Sequence, residues 1–343
     1  MLSKARCGEM EAYDILQVVE HCEQSAVLAT VIHVEGHAYR KQGAMMLLLL
    51  DGSLYGSISP GCLEADLSGY VPLVEASQKP QMIEYDMRPA DDFGWGETIG
   101  CGGFIRILLE PVTGELLVHL LTAKAAMDRG EVVQLTRLFM EGYSNTQYML
   151  CEIDKAAAAS VADHNSLSNA YVYTFKPKPR VIVFGANQDA IPLAGLAVSS
   201  GFRVVVADWR DSYCTEERFP GAETVVAFPG ELVEKLRLSS DDYVVVMSHQ
   251  FDKDAEFVRG AMKLRLRYLG IMGSRSRSER LLDGMERPEW VHYPVGLHIG
   301  SEGPVENAIS IVAELISIRR GVRANVEWSS SVMSGDIQGC RPW

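Results

Sequence analysis

The 343-residue chain lacks four features, and each absence narrows what it can be. It has no surplus of basic residues: 32 Lys and Arg stand against 45 Asp and Glu, a formal charge of −13. Sequence-independent grip on nucleic acid or on an anionic membrane surface needs Lys/Arg-rich faces, so neither is an expected partner. A small anion held by a local basic group remains compatible with this balance. It has no apolar run of the ~18 residues that a membrane span requires. Its first residues, Met1 to Cys7, lead into Glu-rich sequence instead of a signal-peptide core, so a cytoplasmic protein is expected. It has no C-x-x-C or Cys/His spacing of a zinc site, and its seven scattered cysteines do not form a disulfide framework. Finally, it has no internal repeat or low-complexity tract.

What remains is an ordinary globular composition, 47% hydrophobic with mean hydropathy +0.02, long enough for two domains. Helical periodicity runs from Glu9 to Glu23, through Leu63–Val74 and through Leu116–Met127. β-rich segments occupy Ala26–Val34, Met82–Tyr85, Phe104–Val112, Gln147–Ile153 and Ala170–Phe175. Ala44–Leu50 and Leu54–Ile58 flank Asp51-Gly52-Ser53, a hairpin signal. This mixture predicts an N-terminal α+β domain over 1–175.

Lys176-Pro177-Lys178-Pro179-Arg180 follows, and alternating prolines favour extended backbone, so 176–180 reads as a linker. Beyond it, five short apolar runs alternate with helical stretches. They are Arg180–Phe184, Arg203–Ala207, Thr224–Ala227, Tyr243–Met247 and Arg267–Met272. Runs of that kind are strands buried on both faces, so 181–322 is expected to form a doubly wound Rossmann-type parallel sheet. The fold class is therefore α/β, with residues 323–343 as a polar C-terminal tail.

The first turn of that second domain carries a variant phosphate-binding fingerprint, Gly185-x-Asn187-x-x-Ala190. Gly185 permits the tight turn and Ala190 permits close helix–strand packing, while Asn187 stands where a side chain is normally absent. The helix start still offers free amides for one phosphate. Asp208 falls where NAD domains grip ribose hydroxyls. The competing reading of these small residues is packing alone. Two further strand ends carry polar residues, Ser248-His249-Gln250 and Gly273-Ser274-Arg275-Ser276-Arg277. His249 could act as an acid/base or a metal ligand, or cap a helix or order a loop; beside Ser274, Arg275 and Arg277 could meet an anion or form a solvated helix start.

Two cysteines sit in glycine-rich turns. Cys62, in Pro60-Gly61-Cys62-Leu63-Glu64, is expected in the first turn of a helix, where a thiolate is favoured, although Glu64 opposes that charge. Cys101 lies in Gly100-Cys101-Gly102-Gly103. The competing reading of each is a small buried hydrophobe.

Taken in order, these motifs resemble the XdhC/CoxI family of accessory proteins for xanthine dehydrogenase and related molybdenum hydroxylases. The resemblance is carried by Leu28-Ala29-Thr30-Val31, Gly36-His37-Ala38-Tyr39-Arg40, Gly43-Ala44-Met45 and Gly61-Cys62-Leu63-Glu64. It continues in the Gly185 turn, Ser248-His249, Tyr268–Arg275 and Pro294–Gly300. It implies a homodimeric chaperone that binds molybdenum cofactor (molybdopterin), protects it during sulfuration, and delivers it to a xanthine dehydrogenase-type enzyme. A cysteine desulfurase would be a further partner. On this resemblance Cys62 is the candidate molybdenum ligand, and Arg40 either contacts an anion or pairs with Glu64. Pro60, His37 and Asn187 depart from the family pattern. Two alternatives stay open: an NAD(P)-dependent oxidoreductase or nucleotide-binding protein using Gly185, Ala190 and Asp208, and a thiol-redox or sulfur-relay protein using Cys62 and Cys101.

Overall fold

The computed structural model describes residues 10–88, 103–140, 143, 145–154, 164–167 and 169–322. The chain divides between Lys178 and Pro179 into two compact units.

In the first unit, β1 (Ala26–Glu35) is the centre of a five-stranded antiparallel sheet. Its neighbours are β2 (Met45–Leu49), β3 (Leu54–Gly56), β4 (Gln81–Asp86) and β5 (Phe104–Pro111), in the order β3-β2-β1-β5-β4. Alternate residues of a strand point to opposite faces. Here Val27, Ala29 and Val31 face one core and Leu28 the other, so β1 is buried without a break from Ala26 to Ile32, with Thr30 its one polar residue there. Helix α2 (Glu64–Ser77) covers one face with Leu67, Val71 and Val74. Each such buried aliphatic side chain contributes roughly 1.5–3 kcal/mol. Helices α1 (Ala12–His21) and α3 (Gly114–Asp128) pack on the other face. A second antiparallel sheet has the order β7-β6-β9-β8, from β6 (Val132–Met140), β7 (Asn145–Ile153), β8 (His164–Leu167) and β9 (Ala170–Phe175).

Strand β6 is absent from the sequence reading for a physical reason. Its pattern is interrupted by Arg137, which is fully buried and donates from Nε to both carboxylate oxygens of the equally buried Glu110 at 2.9 Å. Hydropathy alone places a charged residue at the surface; here the pair neutralises itself inside. Lys178, within the proline-rich segment, is held to α1 by Asp14 at 2.6 Å and by the Tyr13 ring.

The second unit contains one six-stranded sheet, every strand parallel to its neighbours. The strands are β10 (Arg180–Phe184), β11 (Arg203–Asp208), β12 (Glu223–Val226), β13 (Tyr243–Val246), β14 (Tyr268–Ile271) and β15 (Val291–His292). Their order, β12-β11-β10-β13-β14-β15, is the doubly wound 3-2-1-4-5-6 arrangement. Val181 and Val183 face the helices α4 (Ala190–Ser199) and α8 (Gly303–Arg319). Ile182 and Phe184 face α5 (Pro229–Lys235), α6 (Phe251–Ala261) and α7 (Arg275–Leu281). The predicted Rossmann-type fold is therefore present, with the two-residue β15 added at its edge. The strand order reverses between β10 and β13, which places the ligand-facing crevice of such sheets at Gly185 and Ser248. Cys101 and the tail 323–343 lie outside the described residues.

Candidate functional site

Strand β3 ends at Gly56, where φ is +85° and a built Cβ would lie 2.7 Å from the Met45 carbonyl oxygen. Only glycine fits there. The chain then folds onto Glu64, the first residue of α2, which is only 8% exposed. Glu64 Oε1 accepts the amides of Ile58 at 3.1 Å and Ser59 at 2.8 Å, and Oε2 accepts the Ser59 hydroxyl. Ser59 Oγ in turn accepts the amides of Gly61 and Leu63, both at 3.1 Å. The loop is thus buckled from within by one serine and one glutamate.

Cys62 rides on this buckle, half-buried, in the turn just before α2. The expected position in the helix's first turn is displaced by two residues, because the Ser59 hydroxyl already holds the Leu63 amide and Leu63 becomes the N-cap. A surface notch of about 10 Å³, room for about one water, lies beside the thiol. Its walls include Tyr39, Arg40, Ser59, Met87 and Ile105. Arg40 is half-buried and forms no hydrogen bond or ion pair with any described residue. Its pairing with Glu64, which charge would allow, is not made, because Ile58 and Ser59 already occupy the carboxylate. The sequence-predicted Gly61, Cys62, Glu64 and Arg40 are therefore brought together, with different roles. Glu64 and Gly61 shape the loop, while Cys62 and Arg40 present a soft thiol and a cation that pairs with no described residue. Sequence reasoning missed Ser59; its signal was a serine five residues before a buried acid. Among the described residues no group of three His, Cys, Asp or Glu side chains could hold a metal ion. A metal at this notch would have to bring most of its own ligands.

The Gly185 turn is organised differently. Gly185 has φ +114°, and a Cβ there would lie 2.5 Å from Ser248 Cα, so the end of β13 closes on the turn. Asn187 donates from Nδ2 to the Met247 carbonyl, and its Oδ1 accepts the Ala190 amide at 3.0 Å. It fills the position that a glycine would leave open. Asp208 is fully buried. It accepts the Ala186 amide at 2.7 Å, the Arg210 amide at 2.9 Å, and Nε and Nη2 of Arg210 at 2.9 and 2.8 Å. Burial would raise the Asp208 carboxyl, but these donors outweigh it and hold its pKa below the ordinary value. The lone pairs that a ribose diol would need are already engaged. Arg218 completes the turn from outside by donating to the Ala186 carbonyl at 2.9 Å. Arg210 and Arg218 both stack on Tyr213, at 4.4 and 5.2 Å. Neither arginine was anticipated. The amides of Asn187, Gln188 and Asp189 carry no partner among the described residues.

At the neighbouring strand ends, His249 has a left-handed backbone, φ 61°, and its Nε2 lies 3.3 Å from Asp189 at the start of α4. Ser248 donates to the buried Asp254 at 2.5 Å, and Arg277 donates to the same carboxylate at 2.6 Å. Ser274 caps α7 by accepting the Arg277 amide. Arg275 is 76% exposed and pairs with Glu279 one helical turn on, at 3.3 Å. The geometry thus brings Gly185, Asn187, Asp208 and His249 together at the crevice, and leaves Ser274 and Arg275 at a helix start.

Two family models match the chain: "XdhC and CoxI family" over residues 21–86, the segment holding Arg40 and Cys62, and "XdhC Rossmann domain" over 181–315. A relative from Bacillus subtilis (strain 168), named as a probable subunit of xanthine dehydrogenase, is 35% identical over 325 residues. That similarity spans 90% of this chain and 98% of the relative. The chain belongs to the XdhC/CoxI family. The molybdenum cofactor insertion chaperone PaoD of Escherichia coli (strain K12) is 23% identical, over 86% of this chain and 84% of that protein. A crystal structure described as a xanthine dehydrogenase from Bacillus halodurans superposes with a TM-score of 0.82 at 37% identity. It covers 94% of this chain and 99% of that one. Family membership thus covers both units, and no helix among the described residues is long and apolar enough to cross a membrane.

Proposed function

We propose that this protein is an accessory carrier that binds molybdenum cofactor and delivers it to a xanthine dehydrogenase-type molybdenum hydroxylase, and is not itself a catalyst. The observation that carries the reading is the meeting of Cys62 and Arg40 on one notch, in the segment that matches the family. The names of the relatives support it: one is a xanthine dehydrogenase subunit, the other a molybdenum cofactor insertion chaperone. The chemistry fits the cargo. Molybdenum cofactor would arrive with two dithiolene sulfurs and its oxo groups already on the metal, so a single soft thiolate is an adequate protein contact. The notch admits one water-sized group, so the pterin would offer only its metal end there and lie otherwise on the surface. Arg40 would balance the anionic charge at that end. On the second unit, the open amides of Asn187, Gln188 and Asp189 would suit one phosphate.

Sulfuration of the cargo, with a cysteine desulfurase supplying sulfur, action in the cytoplasm and a homodimeric state belong to the same proposal. A dinucleotide in the second unit is the weaker reading, because Asn187 fills the turn and Asp208 is occupied by Ala186 and Arg210. The test is retention of molybdopterin by the purified full chain through gel filtration, beside Cys62→Ala. Retention by wild type and its loss in the variant are expected; failure of wild type to retain the cofactor would overturn the proposal.

A further inference from the structure

At the amino ends of β14 and β15, opposite the crevice at Gly185 and Ser248, a groove of about 760 Å³ opens in the second unit. Topology fixes its place: α6 and α7 each run back along the parallel sheet, so their last residues and the turns after them stand at this end. The floor is apolar, from half-buried Met262, Leu264, Met285 and Trp290, which pack on the core beneath. The rim is charged. Exposed Arg259, Lys263 and Arg265 line the wall formed by the end of α6 and the turn after it, and exposed Asp283 and Glu286 line the wall after α7. Cations at a helix C-terminus often serve its open carbonyls. These three make no side-chain hydrogen bond or ion pair with any described residue, and neither do the two acids. Both walls are firm nevertheless: the Met262, Leu264 and Met285 amides donate to Val258, Ala261 and Leu282, and the Trp290 carbonyl accepts the Leu269 amide. The groove is preformed, and its charges have no partner within the described chain.

We infer that this groove docks an acidic, apolar-tipped segment of the hydroxylase that receives the cofactor. The partner's identity rests on the carrier reading; the surface and its chemistry rest on the groove. An apolar centre inside a charged rim is the anatomy of a protein interface, and Trp, Met and Arg are the residue types enriched there. Charge selects the occupant. From Arg259 to Trp290 the chain carries eight Arg and Lys against four Asp and Glu, although the whole chain stands at −13. This basic island sits on a molecule whose field otherwise repels acidic partners, so carboxylates are guided to this end. A nucleic-acid backbone or an anionic membrane would meet the same cations, but it would also meet the acidic remainder of the chain and leave the Trp290 floor unused. Asp283 and Glu286 on the second wall fix which way round the segment lies, because like charges brought face to face are disfavoured. Docking at the amino ends leaves the carboxyl-end crevice of the same sheet open while the partner is held.

The test is binding of the apo-form of a xanthine dehydrogenase-type hydroxylase to the immobilised full chain, followed by biolayer interferometry at low and high salt. Arg259→Glu combined with Arg265→Glu should weaken binding by about tenfold or more and flatten its salt dependence. Lys79→Glu, on the exposed surface of the first unit, should change neither. Both substituted rim side chains are exposed and unpaired, so the double variant should keep the urea midpoint of wild type. Hydrogen exchange gives a second readout without substitution: added hydroxylase should slow exchange at 259–265 and 283–290 in wild type. Equal binding by the double variant, or no protection in these two stretches, would overturn the inference. So would a wild type that binds no hydroxylase, or one that uses these arginines only for a short DNA duplex or phosphatidylserine vesicles. Molybdopterin retention is read on the same variant and should be unchanged. Hydroxylase binding indifferent to the groove, with retention intact, removes this inference alone; docking at the groove without retention removes the carrier role.

Discussion

The two glycine-containing turns of this molecule differ in what they leave free. The Cys62 turn takes its support from inside: Ser59 and Glu64 hold its amides, and the thiol of Cys62 and the guanidinium of Arg40 keep their chemistry. The Gly185 turn uses its own polar groups as staples. Asn187 ties β13 to α4, Asp208 ties the turn to Arg210, and Arg218 holds the Ala186 carbonyl. A fingerprint therefore marks a backbone shape, and whether that shape serves a ligand depends on where the side-chain bonds go. In this protein the better-known fingerprint is largely a joint, and the less regular turn holds the reactive groups.

The largest effect expected from this contrast is on stability. Asp208→Ala would leave the partly buried Arg210 without its carboxylate and the Ala186 amide without an acceptor, costing about 3–5 kcal/mol. Urea unfolding would read this as an earlier transition, while retention at the Cys62 notch should be unchanged in the folded protein. Glu64→Ala should do the converse. Losing the acceptor of two amides and a hydroxyl costs about 2–3 kcal/mol, and retention of molybdopterin should fall with it, because Cys62 rides on that loop. If Glu64→Ala retained the cofactor as wild type does, the buckle would not matter to the site.

Acid should separate the regions next. In the second unit, Asp208 and Glu314 both have carboxyls held below their ordinary pKa. For Glu314, burial acts upward, but donors from His292, Tyr268 and Gly296 outweigh it. A depressed folded pKa contributes stability that is complete above the unfolded value, about 4 for a carboxylate, and is lost as pH falls through the folded value. Stability of the second unit should thus decline below about pH 4, and Glu314→Gln should flatten that decline. An unchanged acid limb in the variant would remove Glu314 from the explanation. The smallest effect is chemical. Iodoacetamide should label Cys62 and Cys151 in the native protein but spare Cys214, which is buried and whose thiol is pushed up by burial. Protection of Cys62 equal to that of Cys214 would contradict an accessible thiol.

Much of the fold was legible in the sequence because its signals are local. The five main strands of the second unit are apolar runs bounded by turns, and Gly185, Ala190 and the helix starts stand where the doubly wound sheet needs them. Strand β6 was hidden by Arg137, whose partner Glu110 is 27 residues away, and β15 was too short to show a period. At the site, residue types pointed to Cys62 and Arg40, but not to their support. Whether Glu64 faced Arg40, Cys62 or its own loop depends on a backbone path, and the sequence alone left these open. The same holds for Asp208: its spacing suggests ribose, while its bonds go to Ala186 and Arg210. Spacing reports which groups can meet, and hydrogen-bond occupancy reports which are still available.

The contrast between the turns is tested most directly by molybdopterin retention in the full chain, comparing Cys62→Ala with Asn187→Ala. The account predicts loss of retention in Cys62→Ala and near wild-type retention in Asn187→Ala, which keeps the backbone amides of its turn. Retention by Cys62→Ala together with loss in Asn187→Ala would contradict it and return the cofactor to the Gly185 turn.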